Sequence, residues 1–135
     1  MDIAITLPKF LWEQICSGEK QYECRKSIPR NFFRDTDKVF VILKGSTDVV
    51  GWFEITRFLS CVEVDEVKEK YLNKLGIIEE WLDEYAKHED VLQLWEINPV
   101  VYEFSKPQNR ESFLGIRNNP QSYVYCHPEY KGIAS

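Results

Sequence analysis

Between Gly18 and Arg25 the chain reads Gly-Glu-Lys-Gln-Tyr-Glu-Cys-Arg, which gathers two cations and a carboxylate, Lys20, Glu23 and Arg25, into one short run. Charges of opposite sign held this close satisfy one another, and a carboxylate between two cations is kept ionised. On an open strand such a cluster is an ordinary ion-pair network worth about 0 to 1 kcal/mol. In a cleft it is a binding site. Lys20 and Arg25 would then hold phosphate or carbonyl oxygens, while Glu23 orders Arg25 or accepts from a base amino group. The spacing alone does not choose between these two readings.

Other chemistry has little raw material. With His88 and His127 as the only histidines, neither a histidine-based metal centre nor a Ser-His-Asp triad is expected. Cys16, Cys24, Cys61 and Cys126 are widely spaced and contain no CxxC pair, so they are expected to be reduced packing thiols. No metal and no cofactor is expected.

The elements that must position the cluster follow from periodicity. Met1 to Leu7 alternates as a short strand, and Pro8 suits the first turn of a helix in which Leu11 and Ile15 repeat at i, i+4. Gly18 is placed to end that helix in the left-handed conformation. A strand from about Lys20 to Lys26 follows, with Tyr22, Cys24 and Lys26 on one face and Glu23 and Arg25 on the other.

Residues 27 to 37 read as a loop anchored by two buried rings, Phe32 and Phe33. The competing reading is a mobile lip, with Arg30 and Arg34 for a phosphate and a ring for a base. Lys38 to Lys44 and Val49 to Leu59 are strands joined by a turn, and Gly51 marks a bulge or a close backbone approach. Helices are expected at 64 to 75 and 78 to 85, the second carrying Ile78, Trp81, Leu82 and Tyr85 on its apolar face. Val91 to Phe104 is expected to be one strand bent or broken at Asn98-Pro99 and ended by Lys106-Pro107. A short helix at 109 to 116 and a strand at Ser122 to Cys126 complete the pattern. Trp12, Trp52, Trp81 and Trp95 are expected mostly in the core, and none is expected to stack on a base. Tyr123 and Tyr125 share one face of the last strand, and Ser122 lies on the other.

At 135 residues the chain is long enough for one hydrophobic core and too short for two. One domain over 1–130 with a tail at 131–135 is expected, as an α+β fold with a curled sheet or small barrel. No stretch has the roughly 20 apolar residues of a membrane helix and the start lacks a signal-peptide pattern, so a cytoplasmic location is expected. The net charge of −5 is local. Residues 62 to 90 hold ten acids against four lysines, most simply a solvated helix face. A broad grip on duplex DNA is therefore not expected, because it draws on many Lys and Arg contacts to phosphate. A single strand, a nucleotide or a base remains allowed.

The run from Ile5 to Ile55 resembles an ASCH domain, a branch of the PUA-like superfamily that also contains PUA, EVE and YTH domains. The likeness lies in Leu7-Pro8-Lys9-Phe10, in Ser17-Gly18-Glu19-Lys20 through Glu23 and Arg25, in Asp37-Lys38-Val39, and in Val49-Val50-Gly51-Trp52-Phe53-Glu54-Ile55. Pro120-Gln121-Ser122-Tyr123 is similar to the ending of bacterial and phage members with a helical insertion. The resemblance implies a PUA-like, mixed or largely antiparallel β-barrel with inserted helices and a cleft floored by Lys20, Glu23 and Arg25. It implies RNA, a nucleotide or a modified base as ligand, with Ser122 and Tyr123 as further binding residues.

Some members of the family hydrolyse N4-acetylcytidine, and ribonuclease activity has been proposed for others. On that alternative Lys20 is the general base, with Glu23 as the other candidate for a ribonuclease, Arg25 stabilising charge and Ser122 or Tyr123 as a hydrogen-bonding partner. The hydrolase branch has a threonine three residues after its lysine; here that position is Glu23. A third alternative is a protein-interaction module that uses the acidic helices at 64–87.

Overall fold

The computed structural model describes residues 1–126; the expected tail at 131–135 and His127 lie outside them. The elements, in chain order, are β1 (Ile3–Leu7), α1 (Lys9–Ser17), β2 (Tyr22–Arg25), β3 (Val39–Leu43), β4 (Asp48–Glu63), α2 (Val64–Glu66), α3 (Glu79–Tyr85), β5 (Val91–Asn109), α4 (Arg110–Leu114) and β6 (Tyr123–Tyr125). All six strands form one sheet in the order β2-β5-β4-β3-β1-β6. Only β1 and β3 pair in parallel, as the helical crossover between β1 and the later strands requires; the other pairings are antiparallel. This is the expected α+β, PUA-like architecture, a half-barrel with helices inserted in its connections.

The sheet curls because its ladders are interrupted. Register shifts fall at Val41/Ile42 in β3 and at four places along β4, including Val49/Gly51. Each extra residue bends the strand and increases its twist. Gly51 is also a point of close approach, as its sequence context suggested. A Cβ there would lie 2.2 Å from the carbonyl oxygen of Tyr102 and 2.7 Å from the Trp12 ring, so α1 can lie against β4 only over a glycine.

The curl brings the two edges of the sheet together. Arg25 on β2, one edge, donates from Nη1 to the carbonyl of Ser122, just before β6 on the other edge, at 2.9 Å. A side chain thus bridges a seam that no strand pairing closes.

Three apolar clusters follow from this shape. Ile3, Ile5, Val39, Val41, Phe53, Ile55 and Trp95 pack inside the curl with Leu11, Trp12 and Ile15 of α1. Tyr22, Leu92 and Leu94 meet the inserted segment at Val67, Leu75 and Leu82. The opposite face of β1 and β3 is covered by Leu114 and Ile116.

Several local expectations are corrected. The region 64–75 is not one regular helix: α2 gives way to a π-helical stretch at Val67–Tyr71 and a 3-10 turn at Leu72–Lys74. The strand β5 does not end at Lys106-Pro107 but runs to Asn109. The partner β2 covers only Gln93–Glu96 of it, so beyond Ile97 that side of β5 has no strand partner among the described residues, and Pro99 and Pro107 forfeit no ladder bond there. Phe32 is buried as expected, edge-on to Phe58, but Phe33 is 70% exposed. Among the cysteines, Cys126 is buried and Cys24 partly so, whereas Cys16 and Cys61 are exposed and none is paired. No helix among the described residues is long and apolar enough to cross a membrane.

Candidate functional site

The helix-to-strand reversal is built as the residue types dictate. Gly18 adopts φ 86° and its N–H caps the carbonyl of Ile15, which ends α1. Lys20 N–H then bonds the carbonyl of Gln14, and β2 begins at Tyr22. Tyr22 turns away from the charged cluster, as strand alternation requires; its hydroxyl donates to Glu96 at 3.0 Å and its ring meets Tyr71 edge-on.

Lys20, Glu23 and Arg25 are the buried charged residues among those described, at 3%, 5% and 8% exposure. Glu23 sits between the two cations. Its Oε1 lies 3.1 Å from Lys20 Nζ, and its Oε2 accepts from Arg25 Nη2 at 2.8 Å and Nε at 3.2 Å. Burial alone raises a carboxylate's pKa, but the charges of Lys20 and Arg25, with the hydrogen bonds they donate, outweigh it and hold Glu23 down at about 2. The trio therefore carries one net positive charge in the interior.

The remaining bonds of the two cations differ. Lys20 Nζ also donates to the carbonyls of Tyr22 and Leu75, each at 2.7 Å, so all three of its N–H groups have acceptors. Arg25 spends three of its five N–H groups, on Glu23 and Ser122, and its guanidinium lies 5.8 Å from the centroid of Trp95. Its other two N–H groups have no acceptor among the described residues.

The trio forms the floor of an open cavity of about 650 Å³ at the sheet seam. That volume is in the range of small-molecule and nucleotide sites. One wall is the β1–α1 turn with Thr6, Leu7, Pro8 and Leu11, and another is the inserted segment with Leu75, Ile77, Trp81, Glu84 and Tyr85. Lys44, at the end of β3, and Pro120-Gln121 complete the rim.

Sequence reasoning missed much of this rim. Lys44 is exposed and its ammonium makes no hydrogen bond or ion pair among the described residues. Thr6 Oγ1 is buried against the cavity with no hydrogen-bond partner among the described residues. Trp81 corrects an expectation: it is 51% exposed, edge-on to Phe10 at 5.6 Å, rather than a core residue. The apolar stripe of α3 is only half covered, with Leu82 buried and Ile78 and Trp81 open. Trp52 also differs from the core expectation, lying partly exposed and stacked on Tyr102 at 5.4 Å, whereas Trp12 and Trp95 are buried.

The last strand enters the site through its backbone. Ser122 contributes its carbonyl to Arg25, while its side chain is exposed and does not line the cavity. Nor does Tyr123, which packs edge-on against Trp95 and Tyr125. Of the acids between 63 and 84, Glu84 is the one that lines the cavity.

A six-stranded curled sheet with one parallel pair, a helix after β1 and a helical insertion is an ASCH-type fold. Solved structures agree. The ASCH protein of Zymomonas mobilis is similar to this chain at TM-score 0.80 with 17% identity, covering 95% of this chain and 89% of that one. Two single-residue variants of that protein match at the same TM-score with 16% and 17% identity, over 95% of this chain and 89% and 91% of theirs. No protein-family model matches the sequence, and no curated protein matches it significantly.

Proposed function

We propose that the chain binds a base-bearing ligand, a short single-stranded RNA segment, a nucleotide or a modified base, in the cavity at the sheet seam. The observation that carries this reading is the composition of the cavity. A buried floor with a positive surplus lies beside an apolar wall from which an exposed indole projects. A heteroaromatic base presents the complementary pair of surfaces, with a polar edge for the floor and a π-face for Trp81. Stacking of that kind is worth about 1 to 3 kcal/mol per base. Arg25, with two unspent donors, and Lys44, with none spent on the described residues, suit carbonyl or phosphate oxygens; Thr6 and Gln121 supply a hydroxyl and an amide. The resemblance to ASCH domains supports the same class of ligand.

Catalysis with Lys20 as general base has less support. A base must release its proton, and the three protons of Lys20 are held by two carbonyls and a carboxylate in a site 3% exposed. The acidic face of the insertion is exposed and offers no feature that selects a protein partner.

The test is an NMR titration of the intact chain with the four nucleoside 5′-monophosphates, N4-acetylcytidine and short oligoribonucleotides, with turnover followed in parallel. Binding by at least one of these, with signals of Arg25, Lys44 and Trp81 shifting together, is expected. If all of them leave those signals unmoved, the proposal fails; if one is consumed, the enzyme alternative replaces it.

A further inference from the structure

The floor of the cavity holds a lysine that is spent before any ligand arrives. Lys20 reaches the carbonyl of Leu75, a residue 55 positions further along, with its second carbonyl and its carboxylate both on β2. Leu75 lies at the end of the 3-10 turn, just where the inserted segment touches the rest of the molecule. Next to it the N–H of Gln21 donates to the carbonyl of Lys74 at 2.8 Å. Gly76, at φ 78°, is pressed on α1 so closely that a Cβ would meet the Gln14 side chain at 2.2 Å and Leu11 at 3.1 Å. Three residues beyond Gly76, α3 begins and carries Trp81, Glu84 and Tyr85 to the cavity.

The segment also packs through an apolar core, Val67, Leu75 and Leu82 against Tyr22, Leu92 and Leu94, with Lys26 over the Tyr85 ring. These contacts are non-directional, and its other polar ties are weaker in kind. Val64 N–H and the Asp90 carbonyl join the segment's own two ends, Lys68 and Asp83 pair within it at the surface, and Lys26 approaches Glu89 only at 4.0 Å. The Lys20 to Leu75 bond is charge-assisted and buried, and such bonds are about twice as strong as neutral ones.

We infer that Lys20 is a positioning residue: its ammonium, held by Glu23, fastens the inserted segment to β2 and so holds the Trp81 wall over the cavity, without itself contacting the ligand. The binding consequence rests on the function proposed above. The fastening does not.

Three measurements separate the two. In the wild-type chain, slowly exchanging Lys20 ammonium protons should show couplings across hydrogen bonds to the carbonyl carbons of Tyr22 and Leu75. These should persist when cytidine 5′-monophosphate is added; their loss on addition would show the ligand taking Lys20 and overturn the inference. In Lys20→Met, amides of 72–86 should exchange about 10- to 100-fold faster, the range expected for a lost hydrogen bond to a charged group, while those of β1 and β3 keep their rates. Unchanged exchange across 72–86 would also overturn it.

The third measurement restores the tie without the lysine. With Cys16→Ser and Cys61→Ser to remove exposed thiols, a Gln21→Cys/Lys74→Cys disulfide in the Lys20→Met background should return both slow exchange and cytidine 5′-monophosphate affinity to within about 3-fold of the same disulfide protein with Lys20 intact. Slow exchange without recovered affinity would make Lys20 a ligand contact and refute the inference. Lys44→Ala serves as the opposite control, losing affinity with exchange unchanged. If Lys20→Met does not fold, the wild-type couplings decide. If the wild type binds no cytidine 5′-monophosphate, the coupling and exchange results still decide the fastening, while the titration with the wider ligand set decides the proposed function.

Discussion

Two lysines line one cavity and do opposite things with their charge. Lys20, at 3% exposure, has every donor engaged by protein acceptors. Lys44 is exposed, with no acceptor among the described residues. The same division separates the whole floor from the rim: Lys20, Glu23 and Arg25 are buried and bonded to one another and to backbone, whereas Trp81, Glu84 and Gln121 are exposed. A charge taken out of water must first be satisfied by the fold, because an unpaired buried ion costs several kcal/mol. What remains for a ligand is therefore the surplus of the floor and the unpartnered groups of the rim.

The largest test of this division removes the centre of the floor. Glu23→Ala leaves Lys20 and Arg25 buried without their counter-charge, and a loss of about 3 to 5 kcal/mol is expected in urea unfolding. A loss under 1 kcal/mol would mean that the trio is as weakly coupled as an exposed ion pair. Acid gives a second, slightly smaller effect. Glu23 is held at about 2 against an ordinary 4.5, so its contribution is fully present above about pH 4.5 and is lost as pH falls toward 2. The difference corresponds to roughly 3 kcal/mol. Urea midpoints measured from pH 5.5 to 2.5 should fall more steeply for the wild type than for Glu23→Gln, which has no proton to take up there. Equal slopes would remove Glu23 as the acid-sensitive group.

The contrast between floor and rim also marks what could be read from the residues alone. Gly18 as a left-handed cap, the alternation of β2 and the convergence of Lys20, Glu23 and Arg25 are local: each depends on backbone handedness or on a spacing of two or three residues. Gly51 was legible as a close approach, though its neighbour Trp12 was not. The rim was illegible because it is assembled from four distant segments, and nothing near Lys44, Thr6 or Gln121 in the chain reports what the fold brings opposite. Trp81 misled for a specific reason. Ile78, Trp81, Leu82 and Tyr85 have helical spacing, but spacing shows that a face is apolar, not that another element covers it. The ends of β5 failed similarly, since Pro107 excludes a central strand and is tolerated where β2 no longer runs alongside.

At the rim, the expected effects shift from stability to binding. Trp81→Ala should weaken nucleotide or oligoribonucleotide affinity by about 1 to 3 kcal/mol, a factor of roughly 5 to 150, through lost stacking. Its cost to folding should be smaller, on the order of 0.5 to 1.5 kcal/mol for the edge-on contact with Phe10. Titration and urea unfolding of the same variant give both numbers. If the folding cost exceeds the binding cost, the indole belongs with the floor, as part of the architecture.

The smallest effect is expected on the outer side of the inserted segment, where Lys70 Nζ lies 3.0 Å from Glu66 Oε1 one turn away. Both side chains are about half exposed, neither lines the cavity, and water screens the attraction while the fold does not depend on its geometry. Glu66→Gln should leave the urea midpoint, the acid slope and the ligand affinity where they were. The distance of this pair is shorter than that between Lys20 and Glu23, so the comparison isolates burial from proximity. A measurable loss in Glu66→Gln, comparable to that in Glu23→Ala, would show that nearness of charge alone sets the energy of these pairs and that enclosure of the floor adds nothing.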